Sequence, residues 1–133
     1  MLAVAATAGV AAGPARASDG TVEEAFRRGG AEVRAAPDAK KLEAGLTPIV
    51  ARLRRDHGST SLGRRGRSLA IQGFAWTLRG VHTQLDLVAN DSGNIEAAVR
   101  HAKQADRYLD KGAAYLRSAG RVFGRRIGKL NGH

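Results

Sequence analysis

Residues 95 to 130 read IEAAVRHAKQADRYLDKGAAYLRSAGRVFGRRIGKL, and this stretch decides the fold. Ile95, Ala102, Leu109, Leu116, Phe123 and Leu130 recur at every seventh position, and Ala98, Ala105, Gly112 and Ala119 follow three places behind them. A helix presents such a pattern as one continuous seam. Half of the seam is almost bare backbone, so a neighbouring helix is expected to approach closely.

The partner lies immediately upstream. Between Ser61 and Ala89, Ile71, Phe74, Leu78, Val81, Leu85 and Val88 alternate at three and four residues, which is one complete helical seam. Leu69, Gly73, Trp76, Gly80, Thr83 and Leu87 repeat the alternation on nearly the opposite side, so this helix is expected to be central and covered by neighbours. Gly66, Gly73 and Gly80 stand seven apart. A helical glycine costs about 1 kcal/mol relative to alanine, and close approach of a partner is the economical reason for three of them. Asn90-Asp91-Ser92-Gly93-Asn94 reads as a turn, which makes the two helices an antiparallel hairpin. Folding about it sets the glycine stripe near the alanine and glycine stripe and brings His101 opposite His82.

Two shorter helices precede the hairpin. Thr21 and Glu24 form a capping box, so a helix is expected to start there, with Val22, Phe26 and Val33 on its buried side, a weak point at Gly29-Gly30 and an end at Pro37. The next helix begins around Asp38 and carries Leu42, Leu46, Ile49 and Leu53 to about His57. Pro48 predicts either a kink, or a stop and restart with Thr47 as N-cap. Gly58 is a C-terminal cap residue, and Ser59-Thr60-Ser61 offers caps for the long helix that follows. The fold class is therefore all-α, an antiparallel bundle of three to four helices built on a long C-terminal hairpin, with residues 18–133 as one domain.

Residues 1–17, MLAVAATAGVAAGPARA, read as a signal peptide: an apolar run from Leu2 to Ala12, Pro14, then the small-x-small pattern Ala15-Arg16-Ala17, with cleavage before Ser18. A basic n-region is missing before Leu2, and a flexible Ala/Gly tail is the competing reading. The expectation is a secreted or envelope protein. Absence of cysteine removes disulfides and thiolate chemistry and is neutral on compartment.

Twenty-two Lys and Arg against 12 Asp and Glu give a net charge of +10 over 133 residues. Such a balance favours an anionic partner: nucleic acid, an acidic envelope polymer or a lipid surface. The hairpin sorts the charge into a basic pole, with Arg52, Arg54, Arg55, Arg64, Arg65 and Arg67 from the segment between helices two and three and Arg117, Arg121, Arg125, Arg126 and Lys129 from the last helix. The opposite end, with Asp38, Glu43, Asp86, Asp91 and Glu96, is the more acidic one. The end from Arg121 to Leu130 also reads as a short basic amphipathic segment that outruns its partner helix.

Catalytic chemistry is not expected. Ser59, Ser61 and Ser92 sit at caps and turns, Glu23 and Glu24 open a helix where the dipole favours them, and Gly63-Arg-Arg-Gly-Arg67 lacks the lysine and hydroxyl of a phosphate loop. A weak metal candidate is His82, Asp86 and His101, two imidazoles and a carboxylate brought together by the hairpin. Trp76, Tyr108 and Tyr115 read as packing residues. No cofactor and no small-molecule substrate are expected. The leading expectation is a non-enzymatic bundle that binds an anionic polymer or surface through the basic pole, and the alternatives are a structural protein that self-associates or takes a helical partner through its glycine and alanine seams, and a metal-binding bundle.

Overall fold

The computed structural model describes residues 14–90 and 93–130, with side chains over 19–89 and 93–125. Among the described residues four helices run α1 (Pro14–Ala35), α2 (Ala39–Arg55), α3 (Ser61–Asn90) and α4 (Ile95–Leu130). The chain is an all-α antiparallel bundle built on the α3–α4 hairpin. Residues 1–13 of the expected signal peptide lie outside the described residues, and Pro14 to Ala17 form the first turn of α1.

The helix starts are chemically marked. Asp38 has extended backbone and its carboxylate accepts from the Lys41 amide at 2.8 Å, which caps α2. Asn94 does the same for α4, accepting from the Ala97 amide at 3.0 Å. Of the three candidate caps before α3, Thr60 is the one used, its hydroxyl oxygen accepting from the Gly63 amide at 2.9 Å. Gly58 takes φ +76°, the left-handed conformation that turns the chain after α2.

Two boundaries differ from the sequence reading. Helix α1 does not start at a Thr21 capping box but runs through it from Pro14, a residue suited to a first helical position. Pro48 does not break α2, and the Thr47 hydroxyl donates to the Glu43 carbonyl one turn back at 2.7 Å instead of capping a new helix.

Side-chain volume sets the hairpin register. Leu109 lies on Gly80, Leu116 on Gly73 and Phe123 on Gly66, so that position falls by seven on α3 as it rises by seven on α4. The two helices thus reflect about the Asn94–Ile95 boundary. The two small-residue stripes do approach, since a Cβ on Gly112 would come within 2.8 Å of the Gly73 carbonyl oxygen, but they interleave with large residues. Gly66, Gly73 and Gly80 are each a socket for a large α4 side chain, which fills the close approach to interior density.

Helices α1 and α2 pack on α3, which is the centre of the bundle. The core gathers Val22, Leu46, Val50, Leu53, Ala70, Phe74, Ala119 and Phe123. The three phenylalanines of the chain meet there: Phe26 lies 4.9 Å from Phe123 and 6.1 Å from Phe74, ring centre to ring centre. Gly29 is no weak point, because the Phe74 ring occupies the space its side chain would take. At the turn end the hairpin is less covered, and apolar side chains of both its helices are bare there: Val88 of α3 is 76% exposed, and Ile95 and Val99 of α4 are 82% and 47% exposed.

A basic face built from three helix ends

The last turn of α2, the first two turns of α3 and the final turns of α4 lie side by side. Arg67 ties the first two together, its Nε donating to the Leu53 carbonyl at 2.6 Å and a terminal nitrogen to the Arg54 carbonyl at 3.0 Å. These are carbonyls at the α2 C-terminus, where a cation is favoured. Phe123 seated on Gly66 ties the third.

The predicted basic residues divide into two kinds. Arg52 and Arg67 are half-buried and structural, Arg52 lying 3.7 Å from Asp56. Arg54, Arg55, Arg64, Arg65, Arg117, Arg121 and Arg125 are exposed. Arg64 donates to the Ser59 carbonyl and Arg121 to the Ser118 hydroxyl at 3.1 Å, contacts that orient the side chains at the surface. The side chains of Arg126 and Lys129 lie outside the described residues. On this register Ser61 of α3 lies across from position 128 of a helix that ends at Leu130, and Val122 and Phe123 are both buried at 3% exposure, so this part of the amphipathic segment closes the core.

A buried acid holds the same end in place. Asp19 of α1 is fully buried, accepts from the Ser59 amide at 2.7 Å and from the Thr60 hydroxyl, and lies where any side chain on Gly63 would be. Its charge sits at the N-terminus of α3, where the helix dipole stabilises it. The two glycines of Gly63-Arg-Arg-Gly66 are thereby explained by packing, Gly63 for Asp19 and Gly66 for Phe123.

The metal candidate is not assembled. Among the described residues no group of three His, Asp or Glu gathers in a way that could hold an ion, and His82 is paired instead with Glu43 of α2, Nε2 to carboxylate oxygen at 2.6 Å. The cause is the register: reflection about Asn94–Ile95 sets Arg107, not His101, across from His82, a displacement of six residues or about 9 Å along the helix.

A second basic cluster was not legible as a site. Trp76 of α3 and Tyr108 of α4 lie 5.5 Å apart at 35°, the Arg79 guanidinium carbon is 5.2 Å from the first ring and 4.8 Å from the second, and the Lys111 ammonium is 4.2 Å from Trp76. Gln104 donates to the Tyr108 hydroxyl at 2.7 Å. The available signal was the run Gln104, Tyr108, Lys111 at helical spacing, but its aromatic partner is on the other helix.

No family model, no curated protein and no solved structure matches this chain. Its function is therefore argued from these residues alone.

Proposed function

We propose that the protein is an exported, non-enzymatic helical bundle that binds an anionic polymer or surface through its basic face. The observation that carries this reading is the meeting of three helix ends whose outward residues include Arg54, Arg55, Arg64, Arg65, Arg121 and Arg125, while the two arginines needed for the fold are turned to backbone carbonyls and Asp56. Like charges this dense repel one another, and an anionic partner relieves the repulsion while releasing its own counterions. Export follows from the Leu2–Ala17 pattern and would restrict the partners to envelope polymers, lipid surfaces and extracellular nucleic acid.

The test is a salt titration of binding to three probes: polyphosphate, an oligothymidylate and anionic phospholipid vesicles. Binding is expected to weaken steeply with salt, and the combined Arg64→Gln, Arg65→Gln, Arg121→Gln, Arg125→Gln variant is expected to lower the slope by about 0.7 for each arginine removed on the single strand. No binding at low salt, or binding indifferent to salt, overturns the proposal. Intact-mass measurement of the protein from its host tests the export half: a species beginning at Ser18 outside the cytoplasm supports it, and full-length protein found only inside the cell overturns it.

The competing reading, self-association through the glycine and alanine seams, has less to stand on. Gly66, Gly73 and Gly80 are already filled by Phe123, Leu116 and Leu109 of the same chain.

A further inference from the structure

We infer that the outer face of α4, together with Trp76 and Arg79 of α3, binds single-stranded nucleic acid, with phosphates along a line of cations and bases against the ring cluster. The inference rests on the anionic-partner reading above and names the polymer.

Arg100, Lys103, Arg107 and Lys111 are all exposed and follow one another at steps of three and four, so they form one line on α4. After Ala114 and Ser118 the line resumes at Arg121 and Arg125, which belong to the basic face already described. From Arg100 to Arg125 it spans about 38 Å at 1.5 Å per residue, long enough for several nucleotides. Arg100, Lys103 and Arg107, with His101 and Gln104, line a surface hollow of about 310 Å³ that no carboxylate borders. Asp106 and Asp110 flank the line and repel a strand from that side.

The rings make the polymer specific. Gln104 belongs both to the hollow and to the cluster, since its amide holds the Tyr108 hydroxyl, so the phosphate path and the ring pair are contiguous. Arg79 lies against both rings and Lys111 over Trp76, which places planar, cationic and aromatic surfaces together at a half-buried, half-open position. Bases stack on such surfaces whatever their sequence, whereas a base-free polyanion gains nothing from them. A lipid surface is disfavoured by the residues that interrupt the cation line: Ala114 and Ser118 supply no large apolar side chain to insert. A duplex keeps its bases stacked internally and offers them no access.

Trp76 is the only tryptophan, so its fluorescence reads this site and no other. The full chain is titrated at one salt concentration with oligothymidylate, a duplex of the same length and polyphosphate. The expected result is quenching by the oligothymidylate alone, and affinity about tenfold above that for polyphosphate. Tyr108→Leu, checked for retained helicity, should abolish the tenfold preference and leave polyphosphate binding unchanged. Lys103→Gln with Arg107→Gln, both at exposed positions, should weaken oligothymidylate binding more than Arg54→Gln with Arg55→Gln does. Oligothymidylate that binds without quenching, or no tighter than polyphosphate, overturns the inference while the anionic-partner reading stands. If neither polymer nor vesicles bind, both readings fall.

Discussion

Asp19 and Ser59, forty residues apart in sequence, are joined by a 2.7 Å hydrogen bond from the Ser59 amide to a fully buried carboxylate. One side chain thus fastens the start of the chain to the N-terminus of the central helix. Removing it leaves the Ser59 amide and the Thr60 hydroxyl short of their partner. Asp19→Ala is expected to cost about 2–3 kcal/mol and Asp19→Asn less, read as a shift in the urea midpoint at constant slope. A loss under about 0.5 kcal/mol would mean that water replaces the carboxylate.

The position of Asp19 also bears on export. In a chain beginning at Ser18, Asp19 becomes the second residue, and the first helical turn, Pro14 to Ala17, is gone. Among the described side chains, those of α1 in the apolar core begin at Val22, and the shortened chain is expected to fold with a loss of about 1 kcal/mol or less. Thermal unfolding of the two forms side by side checks this, and a shortened chain that fails to fold would argue against cleavage before Ser18.

Gly73 of α3 and Gly120 of α4 should respond to alanine with opposite signs. A Cβ on Gly73 would lie 2.6 Å from Leu116 Cδ2 and 3.1 Å from the Leu116 backbone nitrogen. The helix-propensity gain of about 1 kcal/mol is then exceeded by displacement of α4, for a net loss of about 1–3 kcal/mol. Gly120 is exposed and has only Phe26 near it, at 3.9 Å, so Gly120→Ala should stabilise by up to about 1 kcal/mol. Denaturation midpoints moving in the same direction would contradict the socket geometry.

Arg65 and Arg67 are two residues apart and should behave differently. Arg67→Gln loses both bonds to the end of α2 and is expected to cost about 1–2 kcal/mol of stability. Arg65→Gln should leave stability within about 0.5 kcal/mol and weaken polyanion binding. Paired measurements of stability and binding separate the two roles.

The His82–Glu43 contact is short but both side chains are substantially exposed, 55% and 36%. A double-mutant cycle with His82→Ala and Glu43→Ala should return a coupling of about 0–1 kcal/mol. A larger value would mark this pair as a working clasp between α2 and α3.

How much of this was legible in the sequence follows a physical line. Apolar spacing is a local property, and it determined the helical segments, the two-sided burial of α3 and the hairpin, while turn and cap residues marked a helix start around Asp38 and a cap within Ser59-Thr60-Ser61. The gathering of arginines at one end followed from chain direction alone. Register did not, because it depends on which α4 residue fits which α3 glycine, and an estimate taken from the middle of the turn fell six residues short. That error is what placed His101 opposite His82. The long reach of Asp19 to Ser59, the sharing of Arg79 between Trp76 and Tyr108, and the bareness of Ile95 were likewise decided only by the tertiary structure. Each is a relation between helices, fixed by side-chain volume and by how far α1 and α2 extend along the hairpin, and periodicity within one helix carries no information about either.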